Sequence, residues 1–460
     1  MNFLISFVKD VLAVPAILVG LSTLVGLVAA RKSVSEVISG TVKAILGFVI
    51  LGGGAGILTG ALNNMSPLIE AGFGVHGVIP SNEAIVAIAQ KTLGTQTALI
   101  MVFGFIANLI FARITPFKYI FLTGHHTFFM AAMLSAVLST AGLGGALLVA
   151  VGSLMLGALM VLMPALASPY MDQITKSSDI ALGHFGTFGY WLSGTIGRLV
   201  GNKEDSLENY QFPKGLSFFR DSLVSTSTVM FIIFIVAAIA AGNAFTLKQS
   251  GGQNMLVYSL LQALTFAAGV AVVMYGVRLI LGEVVPAFKG ISDKLVPNAK
   301  PALDCPIVFP YAPTSVLVGF IVSFLGGVVS MLIMGLVGLP VIVPGLIPHF
   351  FVGGTAGVFG NATGGKRGAI AGSFANGVLI SFGAAFLLPT LGALGFQNTT
   401  FGDADFQVIG IFVGGVGNAL KGSAGLLAGV LLVVLAGVLF IGSRTNRGRK
   451  YVQPTGKKIA

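Results

Sequence analysis

Eleven apolar runs, each long enough or nearly long enough to cross a lipid bilayer, follow one another along this sequence. A transmembrane helix needs about 20 predominantly apolar residues. Only 9% of the 460 residues are charged, whereas soluble domains carry about 25%. We therefore predict an all-α polytopic membrane protein with about 11 transmembrane helices. The predicted spans are residues 14–30, 37–62, 95–112, 117–141, 144–166, 223–241, 257–281, 315–337, 341–359, 369–391 and 426–441.

Two shorter apolar pieces, rich in glycine, lie between the predicted spans. Residues 180–192 and 408–420 are too short to cross a bilayer and too apolar for ordinary loops. We predict that both form re-entrant hairpins. The most polar stretch, residues 201–221, is predicted to be a cytoplasmic linker with a short amphipathic helix at 216–220 on the membrane surface.

Lysine and arginine residues lie mainly near the ends of the apolar runs. The net charge of +11 would suggest nucleic-acid binding in a soluble chain, but this distribution is typical of the positive-inside rule. With eleven spans and the N-terminus outside, the basic clusters and the basic tail at 443–460 are cytoplasmic. The first run lacks a small-residue cleavage site, so we expect a retained helix rather than a signal peptide.

The order of the runs indicates an internal repeat with a displacement of roughly 220–230 residues. Residues 95–112, for example, correspond to residues 315–337. We predict a first repeat at 1–220 and a second at 221–460. Because the repeating unit comprises five spans, an odd number, the second repeat enters the membrane inverted. Inverted repeats are typical of transporters, whose substrate site lies near the bilayer midplane.

Two adjacent histidines, His125 and His126, interrupt the apolar run at 117–141. An ionisable residue inside a membrane span is costly and usually functional. We therefore expect His125 to face a polar cavity and to donate a hydrogen bond to a solute; packing against a neighbouring helix is the alternative. His126 points about 100° away on a helix, which favours a packed or interfacial position.

Two further segments combine an ionisable side chain with a backbone that cannot form a regular helix. Glycines flank His184, so backbone and imidazole can face a ligand together. Asp304 lies among prolines that exclude a continuous helix, and its carboxylate can accept hydrogen bonds from the hydroxyls of a sugar or polyol. The alternatives are a structural role for His184 and, for Asp304, a cap for the helix that begins near Pro313.

Residues 79–83 are the counterpart of the Asp304 segment in the first repeat. Asn82 and Glu83 are therefore candidate ligand-binding residues. A Pro-Ser-Asn start more often marks a helix N-terminus, where Glu83 would be an N-terminal charge.

Metal, disulfide and nucleotide chemistry are not indicated by the sequence. The single cysteine, Cys305, excludes an intrachain disulfide and a CxxC metal site. The glycine run at 52–56 lacks the Lys-Ser/Thr of a phosphate-binding loop. The five histidines are too scattered along the chain to indicate zinc. We predict no cofactor, no metal and no catalytic residue.

Short motifs that occur together in one family are spread over nearly the whole chain. They are Arg31-Lys32-Ser33-Val34-Ser35, Gly56-Ile57-Leu58-Thr59, Leu122-Thr123-Gly124-His125, Gly183-His184, Asp304-Cys305 and Pro344-Gly345-Leu346-Ile347-Pro348. In this order they resemble the ascorbate-specific permease (enzyme IIC) family of the bacterial phosphotransferase system, in the ascorbate/galactitol-type superfamily.

This resemblance implies a homodimer in the bacterial inner membrane. A V-shaped dimerisation part would comprise 1–60 and 221–282, and a substrate-carrying core 61–200 and 283–442. The family moves a sugar-acid substrate by elevator-type alternating access, and separate IIA and IIB proteins phosphorylate it. The chain would then be a transport subunit without a phosphorylated residue of its own, and whether it counts as an enzyme is left open.

The resemblance also implies a set of substrate-binding positions. His125, His184 and Asp304 match the family's binding residues. The other positions depart from the family: Ala55, before Gly56, replaces a serine, Phe129 and Phe185 replace glutamines, and Asn82-Glu83 replaces a threonine-tyrosine pair. Each exchange of an amide for a ring removes a hydrogen-bond donor and an acceptor. The substrate therefore stays open between ascorbate and another sugar acid, pentose or polyol.

Two other functions remain compatible with the sequence. A secondary transporter on the same fold could use Glu83 or Asp304 as a proton carrier. A sensor could bind a sugar without moving it.

Overall fold

The structure is a computed structural model that describes residues 14–74, 77–210, 222–294, 296–392, 400–420 and 423–446. The predicted surface helix at 216–220 and most of the predicted basic tail lie outside the described residues. Helices dominate, with three short strands. The helices are α1 Pro15–Ala29, α2 Val34–Phe73, α3 Asn82–Ile114, α4 Gly124–Thr140, α5 Gly145–Thr175, α6 Thr187–Val200, α7 Ser222–Ala241, α8 Asn243–Gln249, α9 Met255–Lys294, α10 Pro313–Val337, α11 Leu346–Pro348, α12 Gly354–Gly392, α13 Ala404–Ala419 and α14 Ala424–Asn446; the strands are β1 Tyr119–Phe121, β2 Ala181–Leu182 and β3 Lys300–Leu303.

Seven of the described helical stretches are long and apolar enough to cross a membrane, or eight if the bent pair α7 and α8 forms one span. This confirms the polytopic helical class, with a different count from the predicted eleven. Three places account for the difference. Helix α1 has 15 residues, the run at 117–141 is divided, and the ninth and tenth predicted spans are joined in one stretch, Leu346–Leu391.

Within that joined stretch the chain turns back at Gly365. Its φ of 57° is a left-handed conformation that glycine adopts without a steric penalty. A Cβ atom on Gly360 would meet the carbonyl oxygen of Gly368. Eight residues of straight helix would separate these two by about 12 Å. The two predicted spans are therefore distinct helical arms, and the irregular start of the first contains a π-helical turn at His349–Gly353.

The run at 117–141 is not one helix, because its first residues bond to another part of the chain. Strand β1 pairs in parallel with β3, and the Leu122 N–H donates to the Ala302 carbonyl at 2.9 Å. The Asn108 side chain forms hydrogen bonds to the backbone at both ends of this strand, with Tyr119 O and Phe121 N. Helix α4 therefore starts only at Gly124, and His125 and His126 lie in its first turn.

The strands form two small ladders that join the two halves of the chain. In the first, β3 lies between β1 and β2. In the second, Val78 forms a parallel bridge with Ile342, and the Ser81 N–H donates to Thr400 O at 2.9 Å. Val78 and Lys300 are 222 residues apart, as are Ile120 and Ile342. These spacings fall within the displacement of the predicted repeat, but the repeat and its inverted symmetry both stay predictions.

The two short apolar pieces that were predicted to be re-entrant form α6 and α13, each preceded by extended residues. Helix α6 packs closely on α12, where glycines allow the backbones to approach. The Ser193 hydroxyl donates to Ala356 O at 2.6 Å, and the Thr363 hydroxyl donates to Gly194 O at 2.9 Å. The segment before α6 is thus held in a fixed position beside the strand ends.

The described part of the predicted linker folds against the helices. Glu208 accepts hydrogen bonds from the backbone N–H groups of Thr314 and Ser315 at the start of α10. Asn361 accepts the Leu207 N–H at 2.9 Å. A carboxylate at a helix N-terminus stabilises it through the helix dipole, so the linker also caps α10.

Candidate functional site

A cavity of about 520 Å³ lies where the strand ends meet the first turns of the short helices. One wall is polar and carries His125, His126, His184 and Asp304. Another part of the wall is apolar and includes Phe48 and Leu51 of α2, while Asn63 and Ser66 of the same helix add polar groups. The cavity therefore brings together five of the predicted site residues, His125, His184, Asp304, Asn82 and Phe129, from segments up to 222 residues apart in sequence.

Asp304 lies at the centre of the polar wall because β3 ends just before it. Its backbone is extended, and it caps the 3₁₀ helix Cys305–Tyr311. The Cys305 N–H donates to Asp304 Oδ1 at 2.7 Å. The predicted capping role is thus real, although the capped helix is the 3₁₀ segment rather than α10. Oδ2 remains directed at the cavity, so capping and ligand binding can coexist.

His125 contacts the second oxygen of this carboxylate. Its Nε2 lies 3.4 Å from Asp304 Oδ2, and its side chain is 39% exposed. Because it is in the first turn of α4, the imidazole extends from the helix end into the cavity. This position suits a group that changes partner when a solute binds.

His184 lies in the turn between β2 and α6 and approaches Asp304 from the other side. The Gly186 N–H donates to His184 Nδ1 at 3.1 Å, and the Tyr190 hydroxyl lies 2.8 Å from the same nitrogen. Since Nδ1 accepts, this hydrogen-bond pattern assigns the imidazole proton to Nε2. Nε2 lies 3.8 Å from Asp304 Oδ1, so His184 presents an N–H donor to the carboxylate and the cavity.

A second carboxylate, Asp405, fixes this turn from behind. Its two oxygens accept the N–H groups of Thr187 at 3.0 Å and Phe188 at 2.7 Å, the first residues of α6. Its own N–H donates to Phe185 O at 3.0 Å. Asp405 is fully buried and lies in the first turn of α13, so one charge faces the N-termini of two helices. Sequence reasoning missed it, because its partners are more than 200 residues away.

Asn82, from the segment predicted to be the repeat counterpart of the Asp304 segment, lies in the cavity wall with Asp403. The Asn82 amide donates to Asp403 Oδ2 at 2.7 Å. The Gly402 N–H donates to Asn82 Oδ1 at 2.9 Å. Asn82 thus begins α3 and ties the two halves together. Glu83 follows it in the same helix, and its side chain lies outside the described structure.

His126 is packed, in line with the prediction, and it also lines the cavity. It is 4% exposed, stacks on Phe406, and has its ring centroid 3.8 Å from that of His184. It is therefore packed and cavity-lining at once. The cause is its place in the first turn of α4, where other segments surround the helix end on several sides. The sequence signal that could have placed His126 in the cavity wall is its position next to His125.

Some of the remaining predicted site residues line the cavity and others do not. Phe129 lines the cavity one turn beyond His125, with the two ring centroids 5.8 Å apart. Phe185 is fully buried and stacks on Phe121, so its ring does not line the cavity. Gly56 lies in α2 and is not among the described residues that line the cavity. The backbone of Ala55 also lies in α2, and its side chain is outside the described structure.

Three of the histidines, His125, His126 and His184, lie close together in space. His125, His126 and Asp304 offer ligand atoms that all lie within 4.8 Å of one another. The prediction that the histidines are too dispersed for a metal site is therefore wrong about their positions.

Comparison with known proteins identifies the family of this chain. The family model described as the PTS system sugar-specific permease component, EIIC-GAT, matches residues 10–405. The chain belongs to this family. The predicted family membership is confirmed, and EIIC membership together with the apolar helices shows a multi-pass membrane protein.

One curated EIIC relative is the ascorbate-specific PTS system EIIC component of Mycoplasma pneumoniae. It is 27% identical to this chain over 420 residues, which cover 79% of this chain and 63% of the relative. This chain thus spans less than two thirds of the relative's length.

Proposed function

We propose that this EIIC chain translocates ascorbate, or a related sugar acid or sugar, across the bacterial inner membrane. The observation that carries the proposal is the cavity in which His125 and His184 flank the Asp304 carboxylate. Membership of the sugar-specific permease family and the ascorbate-specific relative support it.

The chemistry of the polar wall suits a polyhydroxylated ring. Asp304 Oδ2 can accept hydrogen bonds from hydroxyl groups, and the Nε2 atoms of His125 and His184 can donate to oxygens of an acidic sugar. The Phe129 ring lies beside His125 and can contact the less polar face of a ring. Binding in a partly buried cavity strengthens such charge-assisted bonds.

We propose an elevator-type alternating-access mechanism for this site. The core part at 61–200 and 283–442 carries the strand ends and short helices, so the polar wall would move as one body. The apolar wall belongs to α1 and α2, within the proposed dimerisation part at 1–60 and 221–282. Because apolar side chains form few hydrogen bonds, the core could slide along this wall without breaking many of them. The homodimer and the inverted repeat belong to this proposal.

Transport would be coupled to phosphorylation by separate IIA and IIB proteins at the cytoplasmic face. With the N-terminus outside and the C-terminus inside, the basic residues near Lys118, Lys176 and Lys300 would meet the partner there. Electrostatic attraction between these basic loops and the negatively charged phosphoryl group of the partner would speed its docking.

Uptake into proteoliposomes tests the proposal. We expect labelled ascorbate to accumulate inside the proteoliposomes only when they enclose IIA, IIB and a phosphoryl donor. The His184→Ala variant should not accumulate it. Accumulation of another sugar acid, but not ascorbate, would correct the substrate. A protein that binds ascorbate without accumulating it under any of these conditions would contradict transport and favour a sensor.

A proton-coupled transporter is the second candidate, because a carboxylate 3.4 Å from an exposed imidazole is a plausible proton-carrying pair. This mechanism predicts uptake without phosphotransferase partners, abolished by an uncoupler. Strict dependence on the phosphoryl donor would eliminate it.

A further inference from the structure

A further carboxylate, Asp403, lines the same cavity as Asp304. Its residue is 3% exposed, and it lies in the cavity wall near Asn82 and His184. An oxygen of Asp403 and an oxygen of Asp304 each lie within 4.8 Å of an imidazole nitrogen of His184. The cavity is therefore acidic at two points, and the resemblance to the family assigns a role to Asp304 alone.

Asn82 holds the Asp403 carboxylate in place. The Asn82 amide donates to Asp403 Oδ2 at 2.7 Å, and the Gly402 N–H fixes the amide by donating to its oxygen at 2.9 Å. Hydrogen bonds to an ionised carboxylate are shorter than those between neutral groups, and the bond to Asp403 is short. An amide carries no charge, so Asn82 orients the carboxylate without neutralising it.

The described cavity wall provides little positive charge to offset the two carboxylates. It includes no lysine and no arginine. His184 Nδ1 accepts the Gly186 N–H, so this imidazole is neutral, with its proton on Nε2. His125 Nε2 lies beside Asp304 at 3.4 Å, so a proton on His125 would offset Asp304 and leave the charge of Asp403.

His126 does not supply the missing charge either. It is 4% exposed and packs between the rings of Phe406 and His184. A charged imidazole in these surroundings would be poorly solvated. The cavity thus carries an excess of negative charge.

This excess acts differently on neutral and acidic solutes. Carboxylate oxygens accept hydrogen bonds from the hydroxyl groups of a sugar or polyol. The carboxylate of a sugar acid would instead lie near a like charge that water only partly screens. Repulsion of the wrong ligand is a common source of specificity.

We propose that Asp403, held by Asn82, makes this site select a neutral sugar or polyol over a sugar acid. Phe129 acts in the same direction, because its ring lines the cavity and offers no donor to an anionic group. The inference rests on the proposed function, since it chooses among the substrates that remain open there.

Calorimetric titration of the purified full chain with two matched pairs of probes tests this selection. The pairs are xylitol with xylonate and sorbitol with gluconate, in which the polyol has a hydroxymethyl group where the acid has a carboxylate. We expect at least one polyol to bind saturably, with a Kd at least about 10-fold lower than that of its acid. This comparison needs no variant.

Asp403→Asn then identifies the residue responsible. The variant keeps an oxygen that can accept the Asn82 amide but removes the charge, so the acid should bind about 5-fold more tightly and the ratio should fall to about 2-fold. Asp205→Asn is the matched control, because it removes an exposed carboxylate that pairs with Lys366 and is not in the cavity wall. It should leave the ratio at the wild-type value.

Three results would overturn the inference: acids that bind as tightly as their polyols in both pairs, no saturable polyol binding, or an unchanged ratio in Asp403→Asn. Tighter binding of ascorbate than of every polyol, with accumulation of ascorbate in proteoliposomes, would also overturn it and leave the proposed transport intact. A polyol that binds selectively but never accumulates when the phosphotransferase partners are enclosed would contradict transport and leave the selectivity intact.

Discussion

Two buried carboxylates, Asp304 and Asp405, lie on opposite sides of the turn that carries His184. Asp405 accepts two backbone N–H groups at 2.7 and 3.0 Å. Asp304 accepts one, at 2.7 Å, and its other oxygen has His125 at 3.4 Å, beyond a good hydrogen bond. Both belong to segments that immediately follow extended residues.

The difference separates a structural group from a binding group. Fixed backbone donors saturate Asp405, so removing it leaves buried N–H groups without partners. Asp304 keeps an unsaturated oxygen in a cavity, with movable side chains around it. Satisfaction of hydrogen bonds, rather than burial or charge, therefore indicates which carboxylate awaits a ligand.

The largest effect is expected from Asp405→Ala. The variant loses two charge-assisted hydrogen bonds at the start of α6, so the free energy of unfolding should fall by about 3 kcal/mol. Fluorescence of the single tryptophan, Trp191, which lies in α6, can follow unfolding in detergent. Asp205→Ala removes an exposed ion pair with Lys366 and should cost at most about 1 kcal/mol. Equal losses in both variants would refute the structural assignment of Asp405.

The next effect concerns Asp304→Asn, which should act on binding rather than stability. The amide –NH2 group takes the place of Oδ2 and cannot accept hydrogen bonds from hydroxyls, so the proposed ascorbate binding should weaken about 30-fold, or about 2 kcal/mol. The amide oxygen can still accept the Cys305 N–H, so the free energy of unfolding should change by less than about 1 kcal/mol. Titration calorimetry measures the affinity. Unchanged affinity with lowered stability would place Asp304 in the same class as Asp405.

A smaller effect is expected at Asn82, whose hydrogen bonds tie the two halves of the chain. Asn82→Ala removes a bond to Asp403 and one from Gly402, and should lower the free energy of unfolding by about 1.5 kcal/mol. Asn82→Asp should be worse at neutral pH, because it places a second carboxylate beside Asp403. Lowering the pH would protonate one of the two and restore a hydrogen bond. A variant Asn82→Asp that is insensitive to pH would contradict this contact.

The smallest effect is expected from Phe129→Gln. It restores an amide to the cavity wall, and one new hydrogen bond should tighten ascorbate binding about 5-fold. Phe185→Gln is the contrasting variant: its ring is buried against Phe121, so stability should fall without a gain in affinity. A similar gain in both variants would show that Phe185 also reaches the ligand.

The membrane class could be predicted from the sequence, and so could the interest of three ionisable residues that the structure brings together in one cavity. Apolar composition requires a bilayer, and ionisable residues such as His125, His184 and Asp304 are conspicuous inside apolar or broken segments. The division of residues 117–141 could not be predicted, because apolar content does not distinguish one helix from a strand followed by a shorter helix. His126 was placed by its helical angle alone, which neglects the segments that enclose the end of α4.

The sequence by itself determined that this chain is a helical membrane protein. It also showed a few ionisable residues in apolar segments, where burial in the membrane is energetically costly. Local composition and periodicity carry that information. Only the tertiary structure decided which polar atoms are satisfied and which face the cavity. The partners of Asp405 lie 217 and 218 residues away, and Asn82 and Asp403 are 321 residues apart. Hydrogen bonds over such distances depend on how the two halves pack, and no local pattern records that packing.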